Sequence, residues 1–244
     1  MNTRYQYNLP TVVTYTLMAI CVLAFLADVY FEASGYPGVM LQLGAKCNPA
    51  IDGGEYWRLF TPMFLHIGTI HLALNMLSLY IIGRHAERIY GHGRYLLVFL
   101  LSGISGNAAS YFFNPDAISA GASTSIYGIM GALLVLLIRN RCDSYTKGVA
   151  KSLIPMAAIN IGYNFVPGSG VDVAGHFGGL ACGLVLGAVL VAFPAHQHSP
   201  VAKRPYSISR LYKNPYIART SHAGNKYGGG RHTLYMAGAR RRGK

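Results

Sequence analysis

The chain has 244 residues, of which only 12% are charged and 52% are hydrophobic, so its charged fraction is about half that of an ordinary soluble domain. This balance excludes disorder for most of the chain, because disordered segments combine low hydrophobicity with high charge. The four cysteines are scattered and form no C-x-x-C pair, which argues against a disulfide scaffold and a zinc ribbon. The composition therefore indicates a membrane protein.

Six long stretches contain no Asp, Glu, Lys or Arg, and each is long enough to cross a bilayer core of about 30 Å as a helix. We predict six transmembrane helices, at residues 10–30, 65–84, 94–113, 121–139, 150–166 and 171–193. The predicted fold class is an all-α membrane protein with a six-transmembrane-helix bundle. The chain then divides into a short N-terminus (1–9), a six-span domain (10–193) and a basic tail (194–244). Helices buried in a soluble core are the alternative interpretation.

The basic residues lie in alternate connections, and this predicts the orientation of the spans. Of the 21 Lys and Arg residues, 19 lie before span 1, in the second and fourth connections, or in the tail. By the positive-inside rule, both termini are cytoplasmic and spans 2, 4 and 6 start at the outer face. We therefore expect an integral multi-pass protein of the plasma membrane. Span 1 is too long for a signal peptide and no clear cleavage site follows it, so we expect it to be retained.

The tail, Pro194–Lys244, differs in composition from the rest of the chain. It contains 11 Lys or Arg residues and no acidic residue. Such a segment cannot bury a core, so we expect it to be disordered and in the cytoplasm. Its charge predicts contact with anionic lipids, at about 1 kcal/mol per cation near the surface, and a solvated determinant of topology is the alternative. Nucleic acid is not an expected partner, because the chain contains no recognised binding module.

The first outer connection, Glu32–Tyr56, is unusually long for a plain loop. Gly35, Pro37, Gly53 and Gly54 interrupt it. We expect this segment to pack on or into the outer leaflet.

Polar side chains occur in each span that starts at the outer face. Span 2 contains His66, His71 and Asn75 near its start, span 4 opens with Gly121–Ser125, and span 6 contains His176. These groups lie at a similar depth, and polar groups inside lipid indicate a functional site. A serine becomes a nucleophile beside a base such as histidine, and free N–H groups at a helix start suit an oxyanion. Helix capping by the serine and a buried core histidine are the alternatives, and the residues alone leave both open.

Glycines follow a strict four-residue spacing in span 6, at positions 175, 179, 183 and 187. Span 4 contains glycines at positions 121, 128 and 131. Small residues at this spacing let helix backbones approach closely in lipid. We expect spans 4 and 6 to pack together, which by itself implies no chemistry.

Other membrane chemistries fit the sequence less well. The chain has no HExxH motif, and His66 and His71 lie about 140° apart around a helix with no carboxylate nearby, so we expect no metal site. An aspartyl dyad needs two buried aspartates, whereas Asp28 and Asp172 lie at span ends. A transporter is disfavoured because spans 1–3 are not repeated in spans 4–6 and the spans lack buried charges.

Four motifs occur in an order that resembles the rhomboid family of intramembrane serine proteases. They are Trp57-Arg58 in the first outer loop, His71-x3-Asn75-Met76 in span 2, Gly121-Ala122-Ser123 at the start of span 4, and Gly175-His176-Phe177-Gly178-Gly179 in span 6. The resemblance covers roughly residues 5–193 and leaves out the tail. It implies a six-helix bundle of the rhomboid type.

The resemblance also implies a role for each matched residue at the site. Ser123 matches the nucleophile and His176 matches the general base, which form a dyad without an aspartate. His71 and Asn75 match side chains that support the oxyanion hole together with the Ser123 backbone N–H. Tyr127 matches the aromatic residue that packs on the catalytic imidazole.

Four further positions match structural elements of the family motifs: Trp57, Arg58, Gly121 and Gly179. Two positions depart from the family pattern. Thr124 follows the nucleophile where glycine is usual, and Gly175 precedes the histidine where alanine is usual. We expect Thr124 to narrow the tight turn at the helix start without abolishing activity.

The activity that the resemblance implies is hydrolysis of peptide bonds in or near transmembrane segments of other membrane proteins. Substrates would enter sideways, with span 5 and its Asn160, Tyr163 and Asn164 as a movable wall. No cofactor or metal is implied. A non-proteolytic rhomboid-like protein that binds transmembrane clients is the main alternative, and a six-span transporter is the second.

Overall fold

The computed structural model describes residues 9–35, 38–139, 147–148, 151 and 171–192, all of which belong to one compact unit, Met1–Ala195. Within these ranges the chain is helical and contains no strand. Predicted span 5, apart from Lys151, lies outside the described residues, as does the tail from residue 194. The number of six spans therefore stays a prediction.

Helix α1 runs from Val12 to Ala33 and corresponds to predicted span 1. Large apolar side chains are exposed along most of its length, and these include Leu23, Leu26, Val29 and Tyr30. An extended apolar surface of this kind is unfavourable in water and suits contact with lipid.

The connection after α1, predicted to lie at the outer face, folds into short helical pieces rather than an extended loop. Helix α2 covers Val39–Gln42 and helix α3 covers Asn48–Asp52. Two 3₁₀ turns follow, at Tyr56–Leu59 and Thr61–Phe64. The connection between α1 and the next long helix is therefore folded along most of its length.

Predicted span 2 is a continuous helical path whose bounds differ from the prediction. It consists of α4 (Thr69–Ser78), a π-helical turn (Leu79–Gly83) and α5 (Arg84–Tyr90). The path starts later than predicted because Gly68 has a φ of 81°, outside the helical region, and it ends at Gly91 with a φ of 80°. The helix continues through the charged residues of α5, beyond the end of predicted span 2, and the membrane boundary of that span stays a prediction.

The remaining helices are α6 (His92–Phe113), α7 (Ser123–Ile138) and α8 (Val173–Ala192). They correspond to predicted spans 3, 4 and 6. Among the described helices, α1, α6 and α8 are long and apolar enough to cross a membrane, whereas α7 has only 16 residues. Twelve of those 16 are buried, so α7 is the central helix, packed between α6 and α8.

The contact between α7 and α8 is made at the level of the backbone. A Cβ atom at Gly183 would overlap the carbonyl group of Gly128, and one at Gly179 would overlap the carbonyl oxygen of Thr124. Only glycine permits this approach, as small-residue faces do between membrane helices. The close contact brings the starts of α7 and α8 together, and both predicted dyad residues lie there.

Candidate active site

Ser123 and His176 lie on different helices with their side chains in hydrogen-bond contact. Ser123 is the first residue of α7, and His176 is in the first turn of α8. The distance from Ser123 Oγ to His176 Nε2 is 2.8 Å. This is the geometry in which an imidazole can take a proton from a serine hydroxyl.

The aromatic ring of Tyr127 lies flat against the imidazole of His176. The ring centroids are 4.3 Å apart and the planes differ by 15°. Tyr127 is one turn after Ser123 on the buried helix α7, so the ring that limits imidazole movement belongs to the same rigid element as the hydroxyl.

The turn before α7 is fixed by hydrogen bonds that its N–H groups donate to residues 62 and 66, which precede α4. The Gly121 N–H donates to the carbonyl of Pro62 at 2.8 Å, and the Ala122 N–H donates to Nε2 of His66 at 3.4 Å. A Cβ atom at Gly121 would lie 2.7 Å from Cε1 of His71, so glycine lets the His71 ring approach the turn. The two histidine rings meet edge to face, with centroids 5.4 Å apart.

Asn75 is one turn after His71 on α4 and is buried. Its Nδ2 donates to the backbone carbonyl of His71 at 2.9 Å. An amide nitrogen carries two hydrogens, so Asn75 can keep this contact and still donate to another acceptor.

A cavity of about 600 Å³ lies over these groups. Six of the nine residues selected from the sequence line it: His71, Asn75, Gly121, Ser123, Tyr127 and His176. The lining near the dyad is polar, and the cavity is large enough to hold water there.

Trp57, Arg58 and Gly179 do not belong to the described lining of this cavity. Arg58 is buried in the first 3₁₀ turn after α3, where it donates to the carbonyls of Leu41 and Ala45 and pairs with Glu55. Trp57 is exposed. Arg58 thus holds the connection after α1 together.

Two residues near the dyad were not assigned a role from the sequence. His66 is fully buried and contacts the turn before α7, and Asp172 lines the cavity just before α8. In the sequence, His66 stands among the polar residues of span 2, five residues before His71, and Asp172 stands four residues before His176. Neither spacing reveals the hydrogen-bond partners of these side chains.

The helical membrane architecture agrees with comparisons to known proteins. The sequence model described as Rhomboid domain matches residues 53–193, which is more than half of the chain. The chain belongs to the rhomboid family, and it is an integral membrane protein.

Three similar proteins show how much of the chain is shared. Rhomboid protease GluP of Bacillus subtilis (strain 168) is 41% identical over 186 residues, which are 76% of this chain and 36% of that protein. RHOMBOID-like protein 4 of Arabidopsis thaliana is 38% identical over 152 residues, 62% of this chain and 38% of that protein. RHOMBOID-like protein 6, mitochondrial, of the same plant is 39% identical over 155 residues, 63% and 50% of the two chains. This chain spans half or less of each relative.

Proposed function

We propose that this protein is an intramembrane serine endopeptidase that hydrolyses peptide bonds in or near transmembrane segments of other membrane proteins. The observation that carries the proposal is the 2.8 Å contact between Ser123 Oγ and His176 Nε2 beside a cavity at the start of α7. Membership of the rhomboid family and a relative named as a rhomboid protease support it.

In the proposed mechanism, Ser123 Oγ attacks the carbonyl carbon of the scissile bond while its proton passes to His176 Nε2. The resulting oxyanion accepts hydrogen bonds from the Ser123 N–H, which has no intrahelical partner at a helix start, and from His71 and Asn75. His176 then gives its proton to the leaving amine as the C–N bond breaks. A water molecule then attacks the acyl carbon while His176 takes its proton, and as the bond from the acyl carbon to Ser123 Oγ breaks, His176 gives that proton to Oγ.

Tyr127 is assigned the role of holding the imidazole plane during these proton transfers. The ring stacking at 4.3 Å supports this role. Trp57, Arg58, Gly121 and Gly179 are assigned structural roles.

The topology remains part of the same proposal. It comprises six spans within residues 10–193, cytoplasmic termini and a plasma-membrane location. Lateral substrate entry past span 5 is also proposed, and a crosslink between spans 2 and 5 should then reduce cleavage. Unchanged cleavage by the crosslinked protein would rule out that route.

The test is cleavage of a model single-span substrate by purified protein in detergent, with wild type beside Ser123→Ala and His176→Ala. We expect cleavage by wild type and a loss of at least about a thousandfold in each variant, since the two residues act as a unit. Cleavage that survives in Ser123→Ala would disprove the nucleophile assignment.

A protein that only binds transmembrane clients is the second candidate. A fluorophosphonate probe separates it from the peptidase, because only an activated serine displaces fluoride from phosphorus. Labelling of wild type and not of Ser123→Ala supports the peptidase. Client binding without labelling or cleavage would support the binding protein.

A further inference from the structure

Asp172 lies immediately before α8 and joins two separate parts of the chain. One carboxylate oxygen accepts from the Gly175 N–H at 3.0 Å and from Asn114 Nδ2 at 3.4 Å. The other oxygen accepts from the Ser119 hydroxyl at 2.6 Å. The side chain therefore links the first turn of α8 to the segment 114–121 that leads into α7.

The two points that this carboxylate connects are placed symmetrically with respect to the dyad. Ser119 is four residues before Ser123, and Asp172 is four residues before His176. The hydrogen bond between Ser119 and Asp172 therefore connects the segment before α7, which carries Ser123, directly to the start of α8, which carries His176.

The segment 114–121 is also held by hydrogen bonds from Lys46, so both Asp172 and Lys46 restrict its movement. The fully buried ammonium of Lys46 donates to the carbonyls of Asn114 at 2.7 Å and Ala117 at 3.0 Å. The backbone N–H of Lys46 donates to the backbone carbonyl of Ser119 at 2.9 Å. Burial lowers the pKa of Lys46, and the charge of Asp172 opposes that shift.

The interactions of Asp172 are of a strong type. Hydrogen bonds to an ionised carboxylate are shorter and about twice as strong as neutral ones. A negative charge also interacts favourably with the N-terminal end of a helix such as α8. A helix cap requires only the bond to Gly175, so the bond to Ser119 does something that capping does not.

We propose that Asp172 is a positioning residue of the active site, and that its carboxylate sets the separation of Ser123 Oγ and His176 Nε2 by tying Ser119 to the start of α8. This inference rests on the proposed peptidase function. Asp172 itself touches neither reacting atom in the proposed mechanism. It acts on the chemistry through the relative placement of the two helices that supply those atoms.

The experiment compares Asp172→Ala, Asp172→Asn and Ser119→Ala with wild type, using full-length protein in detergent. Asp116→Ala is the matched control, because Asp116 is an exposed aspartate of the same segment. For each protein, kcat and KM for a single-span substrate, the rate of fluorophosphonate labelling and the midpoint of thermal unfolding are measured.

For Asp172→Ala we expect kcat to fall between about 10- and 100-fold, the range that follows from a misplacement near 1 Å. KM should stay within about twofold and the labelling rate should fall with kcat, because the defect lies in the reacting pair. Asp172→Asn should recover most of the activity, since an amide oxygen still caps the helix and the Ser119 hydroxyl can reverse its hydrogen bond.

Ser119→Ala distinguishes the link to Ser119 from the capping of α8, because it removes the 2.6 Å bond and leaves the Gly175 contact. We expect a smaller loss in kcat than in Asp172→Ala, and the double variant Ser119→Ala/Asp172→Ala should be no less active than Asp172→Ala, as for two residues of one interaction. If Asp172→Ala does not yield folded protein, Ser119→Ala against Asp116→Ala decides the question.

Three results would overturn the inference while cleavage by wild type upholds the proposed function. They are unchanged kcat in Asp172→Ala, a loss confined to KM, and a Ser119→Ala variant that matches the Asp116→Ala control. If folded wild type neither cleaves substrate nor reacts with the probe, the proposed function itself is refuted, and the role of Asp172 with it.

Discussion

Thr124 and Gly175, the two departures from the family pattern, face each other across the helix interface. A Cβ atom at Gly175 would lie 3.2 Å from the methyl carbon of Thr124 and 2.7 Å from a carboxylate oxygen of Asp172. On the α6 side, a Cβ atom at Gly106 would lie 2.7 Å from Cβ of Thr124. The threonine therefore fills the space that glycines on both neighbouring helices leave open.

We predict that Gly175→Ala lowers kcat by about tenfold, because the added methyl group displaces the Asp172 carboxylate and the first turn of α8. The unfolding midpoint should change little, since alanine improves helix propensity by about 1 kcal/mol. Adding Thr124→Ser, which removes only the methyl group, should restore part of the activity. The comparison is kcat for the two single variants and the double variant.

Thr124→Ser alone serves as the control and should stay within about twofold of wild type, because it leaves the hydroxyl in place. If Gly175→Ala is as active as wild type, or if Thr124→Ser does not improve it, the two positions are not matched in the way the contact suggests.

The sequence predicts which residues line the cavity better than it predicts the hydrogen bonds that fix their positions. Span direction and hydropathy place His71, Ser123 and His176 at one depth, and all three line the same cavity. Their chemical roles stay predictions. The bond between Ser119 and Asp172 joins residues 53 positions apart and leaves no periodic pattern, so it could not be predicted from one sequence.

At the scale of helices, Glu87 fixes the start of α1 from α5. Its buried carboxylate accepts from the N–H groups of Val13 and Thr14 at 2.9 and 2.8 Å and from the Thr14 hydroxyl at 2.6 Å. His92 lies 2.5 Å from the same carboxylate. The first N–H groups of a helix have no intrahelical partner, and here a side chain from another helix supplies the acceptor.

Replacing Glu87 with alanine should destabilise the protein by about 3 kcal/mol, because several buried donors lose their acceptor. The corresponding fall in the midpoint of thermal unfolding is roughly 6–12 °C for a domain of this size. Glu32→Ala, at an exposed glutamate near the other end of α1, is the control. Equal midpoints for the two variants would show that Glu87 does not hold α1 in place.

The glycine contact between α7 and α8 gives a second prediction for the helices. Gly183→Ala forces these helices apart, since its methyl group overlaps the Gly128 carbonyl, and we expect a loss of about 1–3 kcal/mol in stability. Cleavage should fall more than tenfold, because the two helices carry the dyad.

Gly93→Ala is the matched control, as a Cβ atom there meets nothing within 4 Å. It should leave cleavage unchanged and change stability little, because Gly93 is the second residue of α6 and not in the middle of the helix. Normal cleavage by Gly183→Ala would mean that α8 can shift without disturbing the dyad.

The helices are largely predictable because apolar length is the main constraint on a membrane span. Predicted spans 1, 3, 4 and 6 differ from α1, α6, α7 and α8 by only a few residues at their ends. The continuation of the helix through Arg84–Tyr90 was not predictable, because hydropathy does not include a charged segment although that segment stays helical. The π turn at Leu79–Gly83 has no sequence signal of its own.

At the scale of the whole molecule, the charge of the chain is concentrated in the tail, Pro194–Lys244, with 11 basic residues and no acidic one. We predict that a peptide of this tail binds vesicles with anionic lipid and leaves neutral vesicles unbound, with an affinity that falls as salt is raised. Vesicle co-sedimentation measures this. A peptide with its Lys and Arg replaced by Gln is the control. Equal binding to both vesicle types would contradict lipid contact by charge.

The shortness of α7 has a consequence for where a client is cut. Its 16 residues span about 24 Å, against about 33 Å for the 22 residues of α6. Because α7 is enclosed by protein, its depth follows its neighbours and not the surrounding lipid. In the proposed peptidase, the depth of Ser123 therefore determines how far from the membrane boundary a client is cut. We therefore expect that moving the scissile bond by one helical turn, 5.4 Å along the client, reduces its cleavage, as measured from the amount of cleaved client.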